Sequence, residues 1–313
     1  MAAPFFDELT AWYDAAKRDL PWRRPGTGPW AVLVSEVMLQ QTPVARVVPA
    51  WLAWLERWPT PADLAAAPPG DAVRLWGRLG YPRRALRLHA AAVAVTERHG
   101  GLVPTTVPGL LALPGVGEYT ARSVAAFALR QRHPVVDTNV RRVVARLVEG
   151  AADAPVSKRD LALVEALLPD HDEQAAHASI ALMELGALIC TARAPRCPAC
   201  PVSAWCAWLA AGTPALDAPV HRPQGYAGTD RQVRGRLMAV LRDSDGPVPA
   251  GLLAQVWDEP VQRARALDGL VADGLVDPLP DGRFALPSGL HPPRTPASPT
   301  PHAGTGLVGT CGC

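Results

Sequence analysis

The feature that most constrains this chain is a run of thiols, Cys190-x6-Cys197-x2-Cys200-x5-Cys206, four cysteines within seventeen residues. Four buried free thiols at such density have no ordinary structural use, so the loop is expected to close around a metal centre. Four thiolates hold either a tetrahedral zinc ion or the irons of a [4Fe–4S] cluster. Only Cys197 and Cys200 form a tight pair, and the spacing by itself leaves zinc and iron–sulfur open. The start of the chain has no basic segment followed by an apolar run. No stretch reaches the roughly 18 apolar residues of a membrane span, so the cytoplasm and no membrane partner are expected. In that compartment structural disulfides are disfavoured, which again turns the thiols toward a metal. Two further cysteines, Cys311 and Cys313, sit in the tail and receive no role.

Up to the thiols the apolar pattern is helical, in short units cut by Pro and Gly. Pro43 stands where a helix would begin, and Val44, Val47, Val48, Trp51, Leu52 and Leu55 follow at i, i+3, i+4 and i+7 spacing. Val140, Val143, Val144 and Leu147 repeat the stripe after Asp137 and Thr138, either of which can cap a helix. A further helix over 174–189 leads into the cysteines. Strict strand alternation is nearly absent before residue 210, which predicts an all-α architecture of many short helices. Residues 212–230 shift to aperiodic Gly, Pro and Ala, the composition of a linker. Three helices over 233–242, 249–257 and 260–272, then two apolar runs around an Asp281-Gly282 turn, predict a small winged-helix-like module over 231–290. Residues 291–313, rich in Pro, Thr, Ser and Gly, read as a disordered tail.

Leu113-Pro114-Gly115-Val116-Gly117 lies between an apolar turn and a helix start near Glu118. Two glycines let the backbone approach a partner, and amides at a helix start face phosphate, which predicts a helix-hairpin-helix element gripping a nucleic-acid backbone. The same letters, with Asp137 twenty residues past Gly117, imitate a dinucleotide fingerprint. That alternative needs a strand directly before Gly115, where Pro108 and Pro114 stand.

Two carboxylates have apolar neighbours: Glu36 inside WAVLVSEVML and Asp137 after Pro134-Val135-Val136. Desolvation raises a carboxyl's pKa and suits it to protonate a leaving group, while a hydrogen-bonded carboxylate stays anionic and supports a cation. Cleavage of a glycosidic bond needs such a pair. Net charge is only +2, so any polyanion site is local. Six arginines stand against one acid over 122–146, and six against one over 74–98, stretches of the kind that neutralise phosphates. Tyr81, in Gly80-Tyr81-Pro82, is a lone aromatic read as a wedge or a core residue.

Taken in order, Leu20–Arg23, Ser35–Val44, Leu79–Tyr81, Leu113–Ala121, Val135–Val143 and MELGALIC with its four cysteines resemble the MutY family of adenine DNA glycosylases, over roughly residues 5–210. The resemblance implies a [4Fe–4S] cluster on Cys190, Cys197, Cys200 and Cys206. It implies the helix-hairpin-helix glycosylase fold, with a six-helix domain over 29–133 and a cluster domain built from 1–28 and 134–211. Glu36 matches the residue that protonates the adenine ring and Asp137 the one that supports the sugar cation. Trp22, Arg23, Leu39 and Glu184 match the adenine pocket, and Gln41 and Tyr81 match residues that push into the base stack. Gly115 and Gly117 match the DNA-gripping hairpin. The implied partner is double-stranded DNA carrying an A:8-oxoguanine or A:G mispair, and a monomer is expected because the helical stripes are used internally, in the cytoplasm and associated with the nucleoid when on DNA.

Position 119 separates branches of the resemblance. Relatives similar to endonuclease III carry lysine there, where an amine forms a Schiff base with the sugar. Tyr119 predicts a monofunctional enzyme that leaves the strand intact. The chain also departs from the family, whose members usually carry a larger, Nudix-like C-terminal domain for 8-oxoguanine. Two other readings stand beside the main one: a thymine glycosylase for G/T mismatches, and a non-catalytic iron–sulfur regulator that binds DNA.

Overall fold

Proline opens the helices. Its fixed φ and missing N–H suit the first turn, where amides lack an intrahelical partner in any case. A computed structural model describes residues 3–152, 159–215 and 225–289, and there Pro29, Pro61, Pro69, Pro108 and Pro260 each occupy a first or second helical position. The chain runs α1 (Phe6–Ala16), α2 (Pro29–Leu39), α3 (Val44–Arg57), α4 (Pro61–Ala66), α5 (Pro69–Trp76), α6 (Arg83–His99), α7 (Val107–Leu111) and α8 (Glu118–Phe127). It continues through α9 (Thr138–Leu147), α10 (Arg159–Leu167), α11 (Asp172–Leu188) and α12 (Ala207–Ala210). The C-terminal part holds α13 (Asp230–Asp243), β1 (Val248–Pro249), α14 (Ala250–Ala254), α15 (Pro260–Ala272), β2 (Asp277–Pro278) and β3 (Arg283–Ala285). No helix among the described residues is long and apolar enough to cross a membrane.

Two apolar cores form. The first gathers α2 to α8 around Trp54 and Trp76, both fully buried, which meet edge to face at 5.7 Å with Trp58 at 4.8 Å on the other side of Trp54. The second joins α1, α9 and α11 through Leu9, Val140, Val143 and Leu185, with Cys190, Cys200 and Cys206 packed on its edge. The helices α7 and α8 straddle the turn at Gly115, whose φ of +75° only glycine adopts freely. The helical residues ahead of Gly115 leave no strand for a dinucleotide fold.

The C-terminal part is continuous with the first core. Val233, Leu237, Met238 and Leu241 of α13 belong to it. The Gly70 amide donates to the Pro287 carbonyl at 2.7 Å. Arg74 donates to the carbonyls of Arg242 and Ser244, and Arg83 pairs with Asp273 at 3.1 Å. Sequence pattern anticipates the β2–β3 hairpin but not β1, and the expected helix over 249–257 shortens to α14. A two-residue strand cannot display alternation; β1 exists because Val248 pairs with Phe284, which also pairs with Pro278 of β2 in the order β1-β3-β2. The expected tail over 291–313 lies outside the described residues, as do 216–224 of the expected linker.

A shared core predicts shared melting. The full chain should unfold in one cooperative transition, and truncation before Gly225 should lower Tm by at least about 4 °C. Two separate transitions in calorimetry, the first domain's unchanged by truncation, would contradict it.

Candidate active site

Helix α2 is apolar on nearly every side, so it is buried as a whole: Trp30 and every residue from Val32 to Met38 are buried. Glu36 is therefore largely shielded from bulk water, 5% exposed and reached only from the cleft. Burial pushes its carboxyl up to about 7; the hydroxyls of Ser123 and Tyr119 and the charge of Arg23 pull it down, and the Asp137 charge adds to the rise. Burial also drives the Tyr119 phenol well above its ordinary value, with the charges of Glu36 and Asp137 acting the same way. Tyr119 is thus a neutral donor beside the acid.

Asp137 faces the same cleft of about 1600 Å³ as Glu36. Its environment is the opposite one. Asp137 caps α9, its Oδ1 accepting the amides of Asn139 at 2.9 Å and Val140 at 2.7 Å and its Oδ2 accepting the Asn139 side-chain amide at 2.8 Å. Three N–H donors thus converge on its two oxygens. Asn139 is in turn fixed from behind: Arg142 donates to its Oδ1 at 2.8 Å, and also to the carbonyls of Gly186 at 2.8 Å and Cys190 at 2.7 Å. A Cβ at position 186 would meet Asn139 at 2.7 Å, so only glycine lets α11 approach this cap. A run of contacts thus joins the backbone at the first cysteine to Asp137.

Trp22, Arg23, Leu39, Gln41 and Tyr119 also line the cleft. Trp22 is clamped edge to face on Trp51 at 5.8 Å. Glu184 lies behind the wall, fully buried, and does not line it. Burial alone would raise its carboxyl, yet the hydrogen bonds from Arg18 and the charge of Arg23, 3.0 Å away, outweigh that and hold it at about 2. Its reach into the cleft is through the two guanidiniums it orients. No lysine stands near Tyr119 in sequence, but the fold brings Lys17 to the cleft wall, where Asp14 pairs with it at 3.0 Å. His177 joins the same wall, its Nε2 3.1 Å from Asp14 and its ring edge-on to Tyr13.

Gln41 and Tyr81 occupy exposed turns with φ of +54° and +48°, a left-handed backbone costing on the order of 1–2 kcal/mol for a side-chain-bearing residue. Gly115 and Gly117 are exposed at the hairpin, with the stem of Arg87 against Gly115. The arginine-rich stretch over 122–146 divides: part turns inward, and part stays at the surface, with Arg130 on the cleft wall. Arg142 and Arg146 bind backbone carbonyls, Arg132 binds those of Glu165 and Pro169, and Arg122 and Arg130 pair with Glu118 and Glu173. By contrast, Arg78, between α5 and α6, and Arg87, on α6, are exposed.

The four cysteines are half-buried. Cys200 is pushed up to about 11, chiefly by burial, and feels the charges of Cys190, Cys206 and Cys197, so the four thiols converge. Arg146 approaches the Cys190 sulfur at 3.4 Å. Among the described residues no three His, Cys, Asp or Glu side chains are placed to hold a single metal ion. Asn139, Gly186, Arg18 and Ser123 were not singled out by sequence reasoning, and Arg142 entered it only as one of six arginines over 122–146. Only Gly186 carries a signal there, as a helix-weakening residue inside a helix.

Residues 34–166 match the HhH-GPD superfamily of base excision DNA repair proteins. The adenine DNA glycosylase of Mycolicibacterium smegmatis is 60% identical over 280 residues, 89% of this chain and 94% of its own length. That of Mycobacterium tuberculosis is 58% identical over 282 residues, 89% of this chain and 92% of its own. Among solved structures, a thermostable thymine-DNA glycosylase superposes with a TM-score of 0.60 at 27% identity, over 66% of this chain and 95% of its own. Sequence identity of 60% across nearly the whole of both chains is a relationship of family as well as of fold, and this chain belongs to the adenine DNA glycosylases, within the HhH-GPD superfamily of base excision repair.

Proposed function

We propose that this chain hydrolyses the N-glycosidic bond of adenine mispaired with 8-oxoguanine or guanine in double-stranded DNA, and leaves the strand intact. The observation that carries the reading is a buried acid at about 7, Glu36, facing the same cleft as the helix-capping carboxylate Asp137. A base inside the duplex is out of reach, so the adenosine must first swing into the cleft. Near neutral pH a large share of Glu36 is protonated and donates to a ring nitrogen of the adenine. The C–N bond then breaks with its electron pair leaving on a neutral base, and positive charge develops on the sugar. Asp137, held in place by its three N–H donors, faces that charge. Water adds to the sugar, and the now anionic Glu36 takes its proton. Trp22 and Leu39 supply apolar wall, and Glu184 fixes Arg23 against the base. A neutral Tyr119 offers no amine for a Schiff base.

Cys190, Cys197, Cys200 and Cys206 form a donor set of four half-buried thiols, close enough for their charges to act on Cys200, and four thiolates are what a [4Fe–4S] cluster takes. The cluster would cross-link the loop over 190–206 and carry no proton in this reaction. The enzyme acts as a monomer on its duplex.

Single-turnover release of adenine from an A:8-oxoguanine duplex should fall as pH rises through about 7, approaching tenfold per pH unit. Glu36→Gln and Asp137→Asn should each lose at least about a hundredfold. Asparagine still caps a helix, so Asp137→Asn should melt like the parent, separating charge from folding. Thymine release from G/T with no adenine release, strand nicking with covalent borohydride trapping through Lys17, or a rate flat across neutral pH in a fully active Glu36→Gln would each refute part of this reading.

The raised pKa of Glu36 is also a cost to the fold. The folded state holds the proton more tightly than the unfolded one, so the penalty is absent below the ordinary value of 4.5 and complete above about 7. Glu36→Gln should therefore be inactive yet more stable than the parent at alkaline pH, by on the order of 3 kcal/mol, with the gain vanishing toward acid pH. Chemical denaturation at two pH values reads this directly.

Cys197→Ala should purify with clearly less than about four irons per chain and without the parent's brown colour. Stoichiometric zinc in the parent would instead select the tetrahedral site.

A further inference from the structure

A single buried guanidinium ties together the two strained turns that face outward from the first core. Arg84, at the start of α6, is 6% exposed. Its Nη1 donates to the carbonyls of Val37 at 2.9 Å, Met38 at 3.2 Å and Gln40 at 2.5 Å. Its Nη2 donates to the Thr42 hydroxyl at 3.1 Å and the Gly80 carbonyl at 3.0 Å. The guanidinium also lies over the rings of Trp76 at 5.2 Å and Tyr81 at 5.5 Å.

The pattern of acceptors is specific. Carbonyls at the end of α2 have no following turn to satisfy them, and a cation is favoured at that pole of the helix. Two acceptors, Gln40 and Thr42, flank Gln41, and a third, Gly80, immediately precedes Tyr81. Gln41 and Tyr81 are two of the four non-glycine residues with positive φ among those described, and both side chains are exposed. Thr42 strengthens the joint by donating to the carbonyl of Leu79 at 3.3 Å. An isolated turn with a left-handed glutamine or tyrosine would relax; here one planar fork, with donors in fixed directions, holds both.

We propose that Arg84 is a positioning residue that sets the Gln41 and Tyr81 turns as one rigid wedge, so that the two side chains enter the base stack in concert while adenine is withdrawn. The inference rests on the reading that these two side chains press into the stack. Arg84 itself touches neither adenine nor sugar, and its effect is on the opening of the duplex, ahead of bond cleavage.

The experiment compares single-turnover adenine release, per titrated active site, from two duplexes: one with a stacked A:8-oxoguanine pair, and one with the same adenine already unstacked in a bulge. Arg84→Lys keeps the charge without the fork, and Thr42→Val keeps the shape without the hydroxyl. Each should slow release from the stacked duplex by about tenfold or more, the size of one charge-assisted hydrogen bond, while staying within about twofold of the parent on the bulged one. Tyr81→Ala and Gln41→Ala should show the same selectivity. Equal slowing on both substrates, or none, in Arg84→Lys and Thr42→Val overturns the role of Arg84 while Tyr81→Ala and Gln41→Ala remain selective. Loss of selectivity in those two alanine variants overturns the wedge reading and this inference with it. Should Arg84→Lys fail to fold in thermal melts, Thr42→Val decides.

Discussion

Everything in this site depends on hiding one carboxyl from water. At its ordinary pKa Glu36 would be an anion at neutral pH and could protonate nothing. Placing it in a helix that is apolar on almost every face, beneath α3, α6 and α8, raises it to about 7. The architecture follows from that need. Many short helices, each opened by proline, can wrap a central helix on all sides, where a single sheet would leave one face open. Ser123 and Tyr119, both on α8, are the polar groups admitted next to the acid, and each is a hydroxyl that tolerates either charge state.

Two buried carboxylates near the cleft show how partners, and not burial alone, decide charge. Burial works upward on both Glu36 and Glu184. Glu184 has two guanidiniums within 3.0 Å and ends at about 2, whereas Glu36 has hydroxyl neighbours and only the more distant pull of Arg23 and ends at about 7. One becomes a permanent anchor for Arg18 and Arg23, the other a proton donor. Asp137 takes a third route, its oxygens engaged by the amides of α9 and by Asn139. Its position is set by helix geometry, and helix geometry is set by Gly186 and Arg142 on the side facing the cysteines.

Local chemistry was legible in the sequence and convergence was not. The all-α class, the hairpin at Gly115 and the family could be read from helical spacing, glycine placement and ordered motifs. Glu36 announced itself by its apolar neighbours, because a helix apolar all round has to be interior. Nothing in the spacing said that Glu184 would sit behind the wall, that Lys17 would reach it, or that β1 would form, since each depends on residues far apart in sequence. The arginine count could not sort its members for the same reason. A cation-rich stretch looks alike whether its guanidiniums face solvent or, like Arg132, Arg142 and Arg146, turn inward onto backbone carbonyls.

That inward use of arginine bears on the C-terminal part as well. Residues 225–289 carry seven arginines against nine Asp and Glu, and several of these are paired within the part itself, Arg234 with Asp273 and Arg265 with Asp230. Its contacts point elsewhere. Gly70 and Arg74 attach it to α5, and Arg83 attaches it to α6, so it bridges the two helices on either side of the turn that carries Tyr81. Arg84 fastens that turn from within the first core, and the C-terminal part fastens its two flanks from outside. A left-handed tyrosine exposed at a helix junction relaxes more easily when a flanking helix can shift, and these contacts engage both flanking helices.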